Sequence, residues 1–320
     1  MISLLGNIFS ILAMTEFVLG NFANVFIALV NCIDWAKKQK ISCTDGILTA
    51  LAVSRIALLW VISLNWYATF INPDFYGAEV RTTVYIAWVV SNHFSLWFAT
   101  GLSILYLLKI ANFSSLFFHH LKWKAVRVVL TVLLGTSVFL VFHLAVVSLE
   151  VKVQTNAYEG NLTWKTKLRD IVHLSNKTIF TFANFIPFTM SLTALLLLLF
   201  SLWRHLKKMQ LSGKGSRDAS TKVHVRAMQT MTSFLLLFVI YFLVQIISVW
   251  SFYTVEINSD GMVFETLGFL YPSSHSFILI WGNKKLRQAI LSLLWQLRCC
   301  LKESGGPCVI WQKTMSLGKL

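Results

Sequence analysis

Apolar residues along this chain come in long unbroken runs, with polar residues confined to short connections and to a few positions inside the runs. Seven runs are long enough for a membrane-crossing helix, which needs ~20 apolar residues. They cover residues 2–30, 46–70, 82–110, 125–149, 178–203, 227–253 and 262–281. Continuous rather than alternating runs predict helices and disfavour a membrane β-barrel. The segment 284–298 is of another kind. There Leu286, Ile290, Leu293, Leu294 and Leu297 recur at helical spacing beside Lys284, Lys285, Arg287 and Arg298, the pattern of an amphipathic helix lying on a membrane surface. The expected fold is an all-α membrane protein: a seven-transmembrane helix bundle with a short amphipathic cytoplasmic helix after the seventh span. No separate soluble domain fits, so residues 1–301 read as one domain and 302–320 as a cytoplasmic tail.

Polar side chains inside such runs must face the bundle interior rather than lipid. In the third run Tyr85, Trp88, Asn92 and Ser95 fall along roughly one side of a helix, and Ser103, Tyr106 and Ile110 continue the stripe. The first run holds Glu16 and Asn24, the latter suited to hydrogen bonding between helices. Arg55 lies inside the second run. Arginine stays charged in proteins, so it needs carbonyl, hydroxyl or amide partners, and Asn24 and the seventh run are the candidates. That makes Arg55 a hub joining runs one, two and seven, and a fixed cation there disfavours a sodium site. The fifth run carries Asn184 and Pro187, whose ring removes a backbone donor and bends the helix beside Asn184. Tyr241, Gln245, Ser248 and Phe252 share one face of the sixth. Glu265 opens the seventh, with Pro272, Ser273, Ser274 and His275 deeper. His143 in the fourth reads as a packing histidine, because no His or Cys stands at metal-ligand spacing from it.

Composition agrees with a membrane protein: 56% of residues are apolar, 13% are charged, and mean hydropathy is +0.67. A net charge of +15 would invite a nucleic-acid reading, but its placement speaks against one. Of the 28 Lys and Arg, all but Arg55, Arg81, Lys152, Lys165, Lys167, Arg169 and Lys177 fall after runs one, three, five and seven. By the positive-inside rule the amino terminus is extracellular and the carboxy terminus cytoplasmic, as in a multi-pass plasma-membrane protein with lipid and no nucleic acid as partner. No basic region precedes the first run, which therefore reads as an uncleaved span. Cys32, Cys43, Cys299, Cys300 and Cys308 all map to the cytoplasmic side, where disulfides are not expected. Cys299 and Cys300 close the amphipathic segment and are palmitoylation candidates. The outer connection 150–177 contains N-glycosylation triplets at Asn161 and Asn176, the second close to the next span. A third, at Asn112, falls on the cytoplasmic side and reads as unmodified. No cofactor or metal is expected.

Four stretches carry a resemblance: LTALAVSR at 48–55, LSILYLLKIANFS at 102–114, PFTMSLTALLLLLFSLWRHLKKMQ at 187–210 and HSFILIWGNKKLRQ at 275–288. Together they closely resemble the bitter-taste (type 2 taste) receptors, a family of G-protein-coupled receptors, over nearly the whole chain to about residue 301. The chain lacks the Asp-Arg-Tyr after span three, the Asn-Pro-x-x-Tyr ending span seven and the cysteine atop span three that mark rhodopsin-like receptors. The resemblance implies a receptor for structurally varied bitter small molecules, coupled to a gustducin-like heterotrimeric G protein (Gα with βγ). It also implies a ligand in the outer half of the bundle, at Tyr85, Trp88, Asn92, His93, Asn184, Tyr241, Phe252 and Glu265. Rings with a few polar groups suit apolar ligands, and Glu265 and the Trp88 face suit a protonated amine. On the inner side it assigns the region of Tyr106 and Lys109, the third inner loop and the region of His224 to G-protein contact and switching. Asn24, Arg55, Pro187 and His275 complete the structural or switching set. The alternative is a polytopic secondary transporter of small molecules, which would show an internal repeat and paired broken helices; neither is visible. An enzyme would need a nucleophile with its base or clustered metal ligands, and His93, His143 and His275 stand apart in sequence.

Overall fold

The computed structural model describes residues 4–37, 42–72, 74, 77–111, 116–157, 163–211, 219–251 and 259–302. Its elements are α1 (Leu4–Ala36), α2 (Cys43–Trp66) continued by a π-helical turn (Tyr67–Ile71), α3 (Ala78–Ile110), α4 (Leu116–Trp123), α5 (Ala125–Ala157), α6 (Thr163–Leu211), α7 (Ala219–Ser251), α8 (Ser259–Gly282) and α9 (Lys284–Lys302). No strand occurs among the described residues. Six helices, α1, α2 with its π turn, α3, α5, α6 and α7, are long and apolar enough to cross a membrane. The less apolar α8 packs against α1, α2 and α7 and closes the ring α1–α2–α3–α5–α6–α7–α8, with α3 also crossing to α6. The protein is thus a helical membrane bundle. Its outward face is what lipid requires: Leu134 and Val138 on α5 are 73% and 72% exposed. That much bare apolar surface would be untenable in water.

Inside, one core gathers Ile27, Leu51, Leu102, Leu105, Phe238 and Tyr271 with Leu286 of α9. Two glycines set helix spacing. A Cβ at Gly20 would come within 2.9 Å of Ser273 Cβ, and one at Gly282 within 2.7 Å of Thr230 Cγ2, so α8 lies against α1 and α7 only because those side chains are absent. Ser42 caps α2 by accepting from the Asp45 amide at 3.1 Å, and the Asn283 side chain accepts from Lys285 N at 3.0 Å at the start of α9.

The helices overrun the apolar runs. α5 continues to Ala157 and α6 begins at Thr163, so most of the expected outer connection 150–177 is helical. Adding a residue to an existing helix is cheap, and helices therefore extend past the bilayer boundary that hydropathy detects. The inner connection likewise contains a short helix, α4. Ile110, expected to continue the buried stripe of α3, is 44% exposed at the helix end.

Asn176 is corrected as a glycan acceptor. It lies within α6, is 5% exposed, and donates its amide to Glu150 and Tyr85, so no room is left for a sugar. Asn161, Asn112 and the tail beyond residue 302 lie outside the described residues. Among those described, Cys32, Cys43 and Cys299 are free thiols.

Candidate functional site

In the half of the bundle where α3 begins, three helices are tied by amides and a phenol. Asn92 on α3 donates to Asn184 Oδ1 on α6 at 3.0 Å, and Tyr241 Oη on α7 donates to Asn92 Oδ1 at 2.6 Å. All three side chains are buried, so each bond avoids the desolvation penalty of an unpaired polar group. Pro187 cannot donate to the carbonyl one turn back. Its own carbonyl accepts from Thr100 Oγ1 at 3.2 Å, and Ser191 Oγ donates to Thr100 at 2.9 Å. A second polar rung thereby joins α3 to α6 one level deeper.

Beside the first rung stand stacked rings. Tyr85 lies 6.0 Å from Trp88, and Trp88 5.3 Å from Phe180, with interplanar angles of 24° and 21°. Trp88 also packs against the cluster of Leu58, Leu59, Trp66 and Phe269, which is built by α2 and α8. A hollow with room for about one water lies next to the knot, lined by Leu96, Asn184, Phe188, Phe238, Tyr241 and Gln245 among others. It is smaller than the ~300–1,000 Å³ usual for ligand pockets.

The remaining ligand-site candidates are dispersed. Glu265, half-buried on α8, accepts from Asn65 Nδ2 of α2 at 2.8 Å. His93 is buried among Phe94 and Trp97, with Nε2 unpartnered. Next to Asn92 on a helix, it points about 100° away from that residue's direction. His143 is also buried with its Nε2 unpartnered, so it packs without being fully satisfied. Phe252 lies outside the described residues.

Below the knot, Tyr241 stacks on Tyr271 at 4.6 Å, and the Arg55 guanidinium lies 4.9 Å over the Tyr271 ring. Arg55 is fully buried. It donates to Ser276 Oγ at 3.2 Å and to His275 Nδ1, while His275 stacks on Phe234 at 4.1 Å. Ser276 Oγ in turn donates to Asn24 Oδ1 at 2.7 Å, and Asn24 Nδ2 donates to the Pro272 carbonyl at 3.1 Å. These described partners of the cation are all neutral. A buried arginine held by hydroxyl, imidazole and ring face is a structural fixture, since losing any partner leaves a costly charge. Toward the end of α3 Tyr106 packs among Ala111, Leu198 and Leu202, and Lys109 Nζ donates to Thr44 Oγ1 at 3.0 Å. His224 falls within α7, but its side chain lies outside the description.

Sequence reasoning missed Tyr271 and Ser276, the two residues that link Tyr241 and Asn24 to Arg55. Their signal was present: both stand near Pro272 and among the polar residues Ser273, Ser274 and His275 of one otherwise apolar run. Phe180 was missed for want of any signal, being one phenylalanine among 25.

The geometry defines a helical membrane bundle whose buried polar groups run from the Asn92–Asn184–Tyr241 knot to the Arg55 hub. The taste receptor protein (TAS2R) family model matches residues 1–298. Taste receptor type 2 member 46 of Homo sapiens is 60% identical over 302 residues, covering 94% of this chain and 98% of that protein. Member 43 of Papio hamadryas is 59% identical over 307 residues, covering 96% and 99%. Member 45 of Pan paniscus is 58% identical over 302 residues, covering 94% and 98%. The chain belongs to the taste receptor type 2 family. It is accordingly a multi-pass membrane protein and a bitter-taste receptor of the G-protein-coupled class, and the transporter alternative is not favoured.

Proposed function

We propose that this receptor admits small bitter molecules to its outer half, between the Tyr85–Trp88–Phe180 rings and the Asn92–Asn184–Tyr241 knot. The hydrogen bond from Tyr241 to Asn92 carries the reading. The same tyrosine stacks on Tyr271 above Arg55, so a molecule that engages Asn92 or displaces Tyr241 perturbs the hub directly. Such a ligand acts by population shift, favouring the arrangement of Tyr241 and Tyr271 it binds better. The hollow beside the knot has room for about one water, far too little for a drug-sized compound, so binding parts the rings rather than filling a ready cavity. Contacts of ~0.5–2 kcal/mol each suit micromolar affinity.

The amino terminus faces the exterior of the plasma membrane, and residues 1–301 act as one receptor domain. On the inner side the 106–109 region, the connection between α6 and α7 and the His224 region engage a gustducin-like heterotrimeric G protein. α9 rests on the inner leaflet, with Leu294 and Trp295 turned outward. Cys299 and Cys300 are its acylation sites, and Asn161 carries the glycan. The protein is a receptor and not an enzyme.

The test is calcium release in cells co-expressing a promiscuous Gα subunit, screened with a panel of bitter compounds. Trp88→Ala is expected to abolish responses to most agonists while leaving surface expression intact. Unchanged dose–response curves would refute the pocket assignment.

A further inference from the structure

The outer ends of α3, α5 and α6 meet at a carboxylate that belongs to none of the ligand-facing groups. Glu150 stands on α5 and is only 8% exposed. A carboxylate so far from water persists only when its oxygens are hydrogen-bonded. Both are: Oε1 accepts from Nδ1 of His173 at 2.5 Å, and Oε2 from Nδ2 of Asn176 at 2.5 Å. Lys177 on α6 is nearby as well, its ammonium 6.0 Å from the Trp250 ring centre on α7. Because an ionised carboxylate only accepts, the atom of Asn176 that faces it must be the nitrogen, which fixes the orientation of that amide. The amide donates also to Tyr85 Oη at 3.1 Å. An amide held by a carboxylate on one side and a phenol on the other has its plane fixed, and it fixes the phenol in turn. Tyr85 stacks on Trp88, and Trp88 on Phe180.

We propose that Glu150 is a positioning residue for the ligand-facing rings, acting through Asn176 and Tyr85 to hold Trp88 against Phe180. A helix to which the ligand site assigns no contact thereby sets the shape of that site. Its meaning for ligand selection rests on the reading that Trp88 faces the ligand, whereas the ring geometry can be tested without any agonist.

Glu150→Met keeps the bulk but carries no acceptor oxygen, so the Asn176 amide and His173 both lose their partner. Tyr85→Phe cuts the same chain at its oxygen and leaves Glu150 untouched. Hydroxyl radicals generated on the purified receptor in lipid nanodiscs, followed by peptide mapping, report the exposure of each ring. Trp88 is half-buried, and Trp97, 6% exposed on the same helix, serves as the folding control. In each variant oxidation of Trp88 should rise about fivefold, the change that loss of one buried hydrogen bond makes to a local equilibrium. Oxidation of Trp97 should stay constant, and the double variant should add nothing beyond the larger single effect. Constant oxidation of Trp88, or an equal rise at Trp97, would overturn the proposal. Should Glu150→Met yield no folded receptor, Tyr85→Phe decides alone by the same two readings. A rise at Trp88 in a receptor whose agonist responses survive Trp88→Ala would leave the positioning intact and dispose of the ligand site instead.

Discussion

Glu265 already has a partner within the protein, and this sharpens what its substitution tests. Its Oε1 accepts from Asn65 at 2.8 Å, and the carbonyl oxygen of a glutamine would accept the same bond. Glu265→Gln therefore removes charge and little else. Protonated-amine agonists should lose about tenfold in potency, ~1.4 kcal/mol, while neutral agonists keep their curves; paired calcium-release titrations read both. Equal losses for the two classes would show that Glu265 acts through packing rather than charge. At this scale the sequence was most informative where chemistry leaves no choice. A buried arginine must find partners, so Arg55 pointed to Asn24 and the seventh run, and the structure brings these together through Ser276. Tyrosine and phenylalanine carry no such obligation, which is why Tyr271 and Phe180 looked like ordinary packing. His93 and Asn92 are adjacent in sequence yet face different neighbours, a separation that membership of one apolar run does not express.

At one end of the bundle the elements meet at a clasp around Lys285 on the first turn of α9. Its ammonium lies 2.7 Å from Asp34 Oδ2 and 2.9 Å from Asn31 Oδ1 on α1, and 3.8 Å from Asp45 Oδ2 on α2. Leu286, the next residue, is fully buried in the common core. α9 is thus pinned at its start by charge and by one leucine, while its later turns present Leu291, Leu294 and Trp295 outward. Exposed ion pairs contribute little, but this ammonium is about one-third exposed and reaches three oxygens, so about 1–2 kcal/mol is a fair estimate. Lys285→Glu, which sets three carboxylates together, should lower both the thermal midpoint of the purified receptor and its surface level. Adding Asp34→Lys should restore part of each. No recovery in the double variant would mean that α9 is held by Leu286 alone. The amphipathic pattern of α9 was plain from its leucine spacing, whereas the clasp joins residues some 250 positions apart that no local pattern connects. The ends of α5 and α6 were hidden for a different reason: hydropathy marks where lipid stops, and these helices continue into water. The π turn after Trp66 has neither proline nor glycine to announce it.

For the molecule as a whole the open quantity is the number of crossings, and α8 decides it. By length and apolarity six helices qualify as spans, and α8 does not stand among them. Yet α8 carries Tyr271, Pro272, Ser273, His275 and Ser276, nearly all buried against α1, α2 and α7. A helix that contributes the polar half of a buried hub scores as less apolar because its side chains face protein instead of lipid. Its low hydropathy thus follows from its place in the bundle and does not argue against crossing. Seven crossings put the two termini on opposite sides, whereas six would put them together. The basic residues following α1, α3, α6 and α8 then all face the cytosol, as the positive-inside rule requires. An epitope tag at the amino terminus should stain intact cells, and one at the carboxy terminus only permeabilised cells. Staining of both tags on intact cells, or of neither, would leave α8 short of a full crossing. The Arg55 hub would then be a feature of one leaflet, and a ligand in the outer half would have no continuous bundle through which to reach the G protein.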